Sequence, residues 1–139
     1  IDNNYEMIKD VRKELGKKED ANNAEAMRLE KKYNDRLQQL QKTVTTPEQN
    51  EAAKQELMQL QQSIGKEKQA MMETYTEYQG RRLKDIQKRI EDFLSKYNSD
   101  KKYSYIMSYE PGMFFYKDTS FNITADVIKG LNEDYKQKK

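Results

Sequence analysis

The sequence has no cysteine and no histidine, and only two prolines and five glycines in 139 residues. Without cysteine there is no disulfide and no thiol nucleophile. Without histidine there is no imidazole base, and the two absences together remove the usual zinc ligands. Lack of cysteine suits a reducing cytosol and an oxidising periplasm equally, so it does not choose the compartment. No apolar run approaches the roughly 20 residues needed to span a bilayer. The sequence opens on Ile1 rather than Met, which reads as a mature or partial chain from which any signal peptide has already gone.

What is present is charge. Charged residues make up 36% and hydrophobic residues 35%, whereas a compact domain is roughly 45–50% apolar. Such polarity can mean disorder, but the charges alternate in sign and Leu, Met, Gln, Glu and Lys dominate, which favours long solvated helices. Twenty-six basic residues against 24 acidic ones leave a net charge of +2. A nucleic-acid binder segregates its Lys and Arg onto one face. Here acids are interspersed throughout, and even Gly80-Arg81-Arg82 is flanked by Glu77 and Asp85. Carboxylate pairs such as Glu19-Asp20 and Glu91-Asp92 are adjacent on a helix and so point apart, which does not make an acid–base pair. No enzyme activity, metal or other cofactor is expected, and no nucleotide loop is present.

From about Asn3 to Lys42 the pattern is helical, with Leu29, Tyr33, Leu37, Leu40 and Val44 on one stripe and Ile8, Val11 and Leu15 on a nearer one. A polar stretch around Asn22 and Asn23 separates the two stripes. The break falls at Thr43-Val44-Thr45-Thr46-Pro47, where Thr46 as N-cap, Pro47 at the first helical position and Gln49 form a capping box. A second helix should run to about Asn98. Its stripe is Ala53, Leu57, Leu60, Ile64, Met71, Tyr75 and Tyr78, continued by Leu83, Ile86, Ile90, Phe93 and Tyr97. At 1.5 Å per residue it would extend about 75 Å. If the turn lies at Thr45, antiparallel partners have numbers summing to about ninety, and apolar then meets apolar almost throughout. Ile86, Ile90, Phe93 and Tyr97 are left over. They need the base, another subunit, or residues before Ile1 as partner.

After Asn98-Ser99-Asp100 the period changes to two. Tyr103, Tyr105, Met107 and Tyr109 alternate with Ser104, Ile106 and Ser108, which predicts a strand. Glu110-Pro111-Gly112 is turn chemistry, and Met113 to Tyr116 predict the return strand. Asn122 then caps a final short helix with inner face Ile123, Val127, Leu131 and Tyr135. The match of Asn122-Ile123-Thr124 to a glycosylation sequon is better explained by that cap. The expected fold is thus mainly α with a small β base: an antiparallel helical hairpin, a β-hairpin and a short C-terminal helix. Residues 1–98 would form the arm, with its tip near 43–47, and residues 99–139 the base. Because a two-stranded hairpin is marginal alone, the base should oligomerise, recruit a strand before Ile1, or both.

This arrangement resembles the Skp (OmpH-like) family of periplasmic chaperones. The most specific match is Asn122-Ile123-Thr124-Ala125-Asp126-Val127-Ile128 following the aromatic-ended strand at Phe115-Tyr116; the arms match in pattern only. The resemblance implies a trimer joined through a β body, with three arms enclosing a cavity. It also implies a periplasmic location and unfolded outer-membrane proteins as clients, held without ATP. Family members carry a strand before the first helix, and here Ile1-Asp2 looks like its end. Members are often strongly basic, whereas this chain is nearly neutral, so electrostatic capture of acidic clients or membrane surfaces does not carry over.

Several residues take roles on this reading. Met27, Met58, Met72, Tyr33 and Tyr78 are candidate client contacts, since thioethers and amphipathic rings suit a surface that accepts many sequences; the alternative, strongest for Tyr33, Tyr75 and Met71, is that they fill the interhelical seam. Ile90, Phe93, Tyr105, Met107, Phe115 and Tyr116 are candidates for an oligomer interface. Gly16, Gly65 and Gly80 each cost roughly 1 kcal/mol relative to Ala in a helix, and either soften the arm as hinges or reflect tight packing or drift. Three functions compete. An ATP-independent holdase leads. A coiled-coil scaffold with one defined partner should have a more regular seam. A prefoldin-like chaperone would place its β-hairpins between the helices, which the order here opposes.

Overall fold

A computed structural model describes residues 4–109, 112 and 115–137. Helix α1 spans Glu6–Thr43, α2 Pro47–Tyr97 and α3 Thr124–Gln137, with a short 3-10 turn at Thr119–Phe121. The break between α1 and α2 is chemical. Pro47 disfavours helical backbone at Thr46, and Thr46 instead caps the next helix. Its hydroxyl accepts from the Gln49 amide at 3.2 Å, while Gln49 Oε1 accepts from the Thr46 amide at 3.2 Å and the Thr45 amide at 2.9 Å. Neither Asn22-Asn23 nor Gly16, Gly65 or Gly80 interrupts a helix.

The chain divides into two compact units, residues 14–80 and residues 1–13 with 81–139. In the first unit α1 and α2 run antiparallel, as the order of their cross-links requires. Arg36 pairs with Glu56, Glu30 with Lys68, and Glu14 accepts from the Tyr78 hydroxyl. The residue numbers of these pairs total 92, 98 and 92, slightly above the ninety set by the turn, because long polar side chains reach along the axis as well as across it. Leu29, Ala53 and Ile64 are buried in the seam.

In the second unit the start of α1, the end of α2 and α3 share a core of Tyr5, Met7, Ile8, Val11, Ile86, Val127 and Leu131. The leftover α2 stripe therefore finds cover within the chain, with Phe93 lying against Gly130 of α3. The α1 N-terminus lacks a good local cap, since Tyr5 precedes Glu6. Asn132 of α3 supplies one. Its Oδ1 accepts from the Glu6 amide at 2.8 Å, and its Nδ2 donates to the Asn4 carbonyl at 3.0 Å. Tyr135 adds a hydrogen bond to Asp10 at 3.0 Å and an edge contact with Tyr5 at 6.2 Å. Burial pushes the Tyr5 hydroxyl above its usual pKa. Asn132→Ala should cost about 1–2 kcal/mol in urea unfolding, the range for a lost N-cap. A change under about 0.3 kcal/mol, the scale of an ordinary surface substitution, would show that water replaces the cap.

The expected β base is not there. Among the described residues no strand occurs: 101–109 and 115–118 carry no regular structure, although the period-two pattern lies in the first of them. Met113 and Phe114 of the expected return strand, and Glu110 and Pro111 of the turn, lie outside the described residues; Gly112 sits in a turn at φ +88°. With no strand among the described residues, the β body proposed to join three chains has no counterpart either. The physical reason is that alternation fixes which side chains share a face but supplies no partner, and a two-stranded ribbon without further cover is marginal. The local chemistry also favours a loop. Asn98 grips Tyr103 from both sides, its Nδ2 donating to the Tyr103 carbonyl at 2.8 Å and its Oδ1 accepting from the Tyr103 amide at 2.9 Å. Lys101 in between takes a positive φ of 56°, which bends the chain out of α2. Asn122 does accept from the amide of Thr124, the first residue of α3, at 3.1 Å.

Candidate functional site

In the unit formed by residues 14–80, heptad-like spacing puts Leu29, Ala53 and Ile64 inside the seam and leaves Tyr33, Leu37, Leu40, Leu57, Leu60, Met71, Tyr75 and Tyr78 half-buried along it. The proposed contact residues separate into two groups. Tyr33 and Tyr78 belong to the seam, and Tyr78 is further engaged by its hydrogen bond to Glu14 at 2.7 Å and by Lys18, whose ammonium lies 4.5 Å from the ring centre. Met27, Met58 and Met72 instead project outward, 72%, 55% and 65% exposed. Met58 and Met72 are fourteen residues apart on α2, which turns them about 40° from one another and places both on one face.

Polar cross-links hold the frame that carries them. Arg36 donates to both Glu56 oxygens at 2.5 and 2.8 Å, and this hydrogen bonding holds the Glu56 carboxyl below the usual carboxylate range. Arg28 does the same to Glu25. Both pairs are solvent-facing and add little stability; Arg36–Glu56 joins α1 to α2 and so bears on register, whereas Arg28–Glu25 lies within α1. Near the turn, Leu37, Leu40, Val44, Ala53 and Leu57, with the polar Gln41, Asn50 and Lys54, line a shallow groove.

The second unit shows its own exposed apolar side chains: Tyr105, Met107, Tyr109, Phe115, Tyr116 and Phe121. Four of them were singled out for an oligomer interface; Ile90 and Phe93, proposed with them, are half-buried, and Phe93 stacks on Tyr97 at 6.0 Å between ring centres. Leu83, placed on the inner stripe by spacing, is exposed. Phe121 was missed because it stands alone before the α3 cap rather than in a periodic run. At Gly16, Gly65 and Gly80 an added Cβ would meet nothing within 4 Å, so close packing does not explain these glycines.

No group of three acidic side chains among the described residues is arranged to hold a metal ion, and no helix among them is long and apolar enough to cross a membrane. What the arrangement offers chemically is apolar and thioether surface on a polar helical frame. Comparison with curated proteins and with solved structures gives no significant match. A family model described as outer membrane protein (OmpH-like) matches residues 1–131, nearly the whole chain. With that extent of match on a frame of two long paired helices and a docked C-terminal helix, the chain belongs to the OmpH-like family.

Proposed function

We propose that this protein is an ATP-independent holdase of the periplasm that keeps unfolded outer-membrane proteins from aggregating. The observation that carries this reading is the set of methionines turned outward from the arm, Met27, Met58 and Met72, in a chain that belongs to the OmpH-like family. Thioether side chains are flexible and polarizable, so they adapt to many client sequences without demanding a fixed geometry. Clients are held in a cavity between the arms of a homo-oligomer, a trimer by family resemblance, to which the exposed Tyr105, Met107, Phe115 and Tyr116 contribute self-association contacts. No catalytic step is involved.

The test dilutes an unfolded outer-membrane β-barrel protein out of urea, without nucleotide, and follows light scattering in the presence of the full mature chain. Suppression near one oligomer per client is the expected outcome. Undiminished scattering with assembled protein would remove the holdase reading for this client class and favour a scaffold with one defined partner.

A further inference from the structure

Methionine carries all of the sulfur in this chain, which has neither Cys nor Trp nor His. Two-electron oxidants react with thiols and thioethers ahead of other side chains, so with no thiol available the thioethers are the first targets. The fold sorts them sharply. Met7 is 2% exposed in the core of the second unit, with its sulfur accepting from the Tyr5 hydroxyl at 3.5 Å. Met71 is half-buried in the seam. Met27, Met58 and Met72 are more than half exposed and make no part of either buried core. Reaction at these three therefore changes the outward surface of the helices and leaves the cores untouched.

We propose that Met27, Met58 and Met72 form an oxidation-sensitive set through which hypohalous acid weakens the hold on clients. This rests on the holdase reading. The step is oxygen transfer from hypochlorous acid to sulfur: the O–Cl bond breaks, an S–O bond forms, sulfur gives up two electrons, chlorine takes them, and a proton and chloride leave. Both carbon–sulfur bonds survive. The product sulfoxide is polar and chiral, so a surface that attracts apolar segments becomes one that prefers water. Because reductases act on methionine sulfoxide, the change is reversible. The positions are helical and solvent-facing, so helix packing does not resist it.

The experiment treats the full chain with about four oxidant equivalents, one for each thioether of the set and one for the comparably exposed Met107. Peptide mass spectrometry locates the added oxygen, circular dichroism reports the fold, and binding of a fluorescently labelled, unfolded outer-membrane β-barrel protein reports the hold. Sulfoxide is expected at positions 27, 58 and 72, and at the comparably exposed Met107, ahead of 7 and 71, with an unchanged melting temperature and roughly tenfold weaker client binding, an effect reversed by methionine sulfoxide reductase. The triple variant Met27→Leu, Met58→Leu, Met72→Leu keeps apolar bulk without the reactive sulfur. It retains Met107 and should hold clients after the same treatment. Oxidised protein that binds as well as untreated protein would overturn the proposal, and so would equal sensitivity in the leucine variant. Should the leucine variant bind poorly from the outset, reductase rescue of the natural chain decides. An untreated chain that holds no client would instead defeat the holdase reading, and the proposed sensitivity with it.

Discussion

Leu131→Ala should destabilise the protein by about 2–5 kcal/mol, the range for emptying a fully buried leucine site. Leu131 is 1% exposed on the inner face of α3, one position before the Asn132 cap of α1. Its neighbours in the core come from three helices, and among the described residues seven buried side chains in that unit compare with three in the unit formed by residues 14–80. A cavity walled on several sides relaxes less than one in a two-helix seam, and the cost rises with the volume left empty. Leu29→Ala, equally buried but placed between only two helices, should therefore cost less. The measurement is urea unfolding followed by helical circular dichroism, read as a change of midpoint at constant slope. A loss at Leu131 below that at Leu29 would show that α3 packs loosely and that the apparent core is open to water.

The strength of α3 was legible in the sequence. Val127 and Leu131 lie four apart, and Asn122 precedes them at capping distance; both side chains are buried and the asparagine accepts from Thr124. The arm was legible for the same reason: a period of 3.6 persists over many turns, and the capping box at Thr46 marks the one break. What α3 packs on was not legible. Asn132 reaches the start of α1 across 126 residues of sequence, and an asparagine in a helix carries no local sign of that. The β base failed because Tyr103, Tyr105, Met107 and Tyr109 record alternation only. Strand formation needs backbone partners, and periodicity is silent about whether they exist.

The candidate surface was half legible. Spacing put Tyr33, Tyr75 and Met71 on the stripe and Met27, Met58 and Met72 off it, and the burial follows that division. Tyr78 shows one limit of spacing: Lys18 lies over its ring and its hydroxyl donates to Glu14, contacts that depend on interhelical register to within one turn. Leu83 shows another, since a residue on a drawn stripe can still rotate outward near the end of a pairing.

Replacing Gly16, Gly65 and Gly80 together by alanine should stabilise the helices by about 3 kcal/mol, since each glycine costs roughly 1 kcal/mol in a helix interior. Open space around all three lets the new methyl groups enter without collision, and with no neighbouring side chain shared between the sites their effects should add. Gly130 provides the contrast. A Cβ there would run into the Phe93 ring, with Cζ nearer still than Cε2 at 2.6 Å. That ring is stacked on Tyr97 and moves only as a rigid plate, so overpacking of about 1–3 kcal/mol outweighs the propensity gain. Gly130→Ala should lower the melting temperature while the triple variant raises it. If the three arm glycines act as hinges, the stiffened arm should also hold a narrower size range of clients, measured across unfolded outer-membrane proteins of different strand number. Stabilisation with an unchanged client range would mark these glycines as mere defects in the helices, and adaptability would then rest with the methionine side chains rather than the backbone.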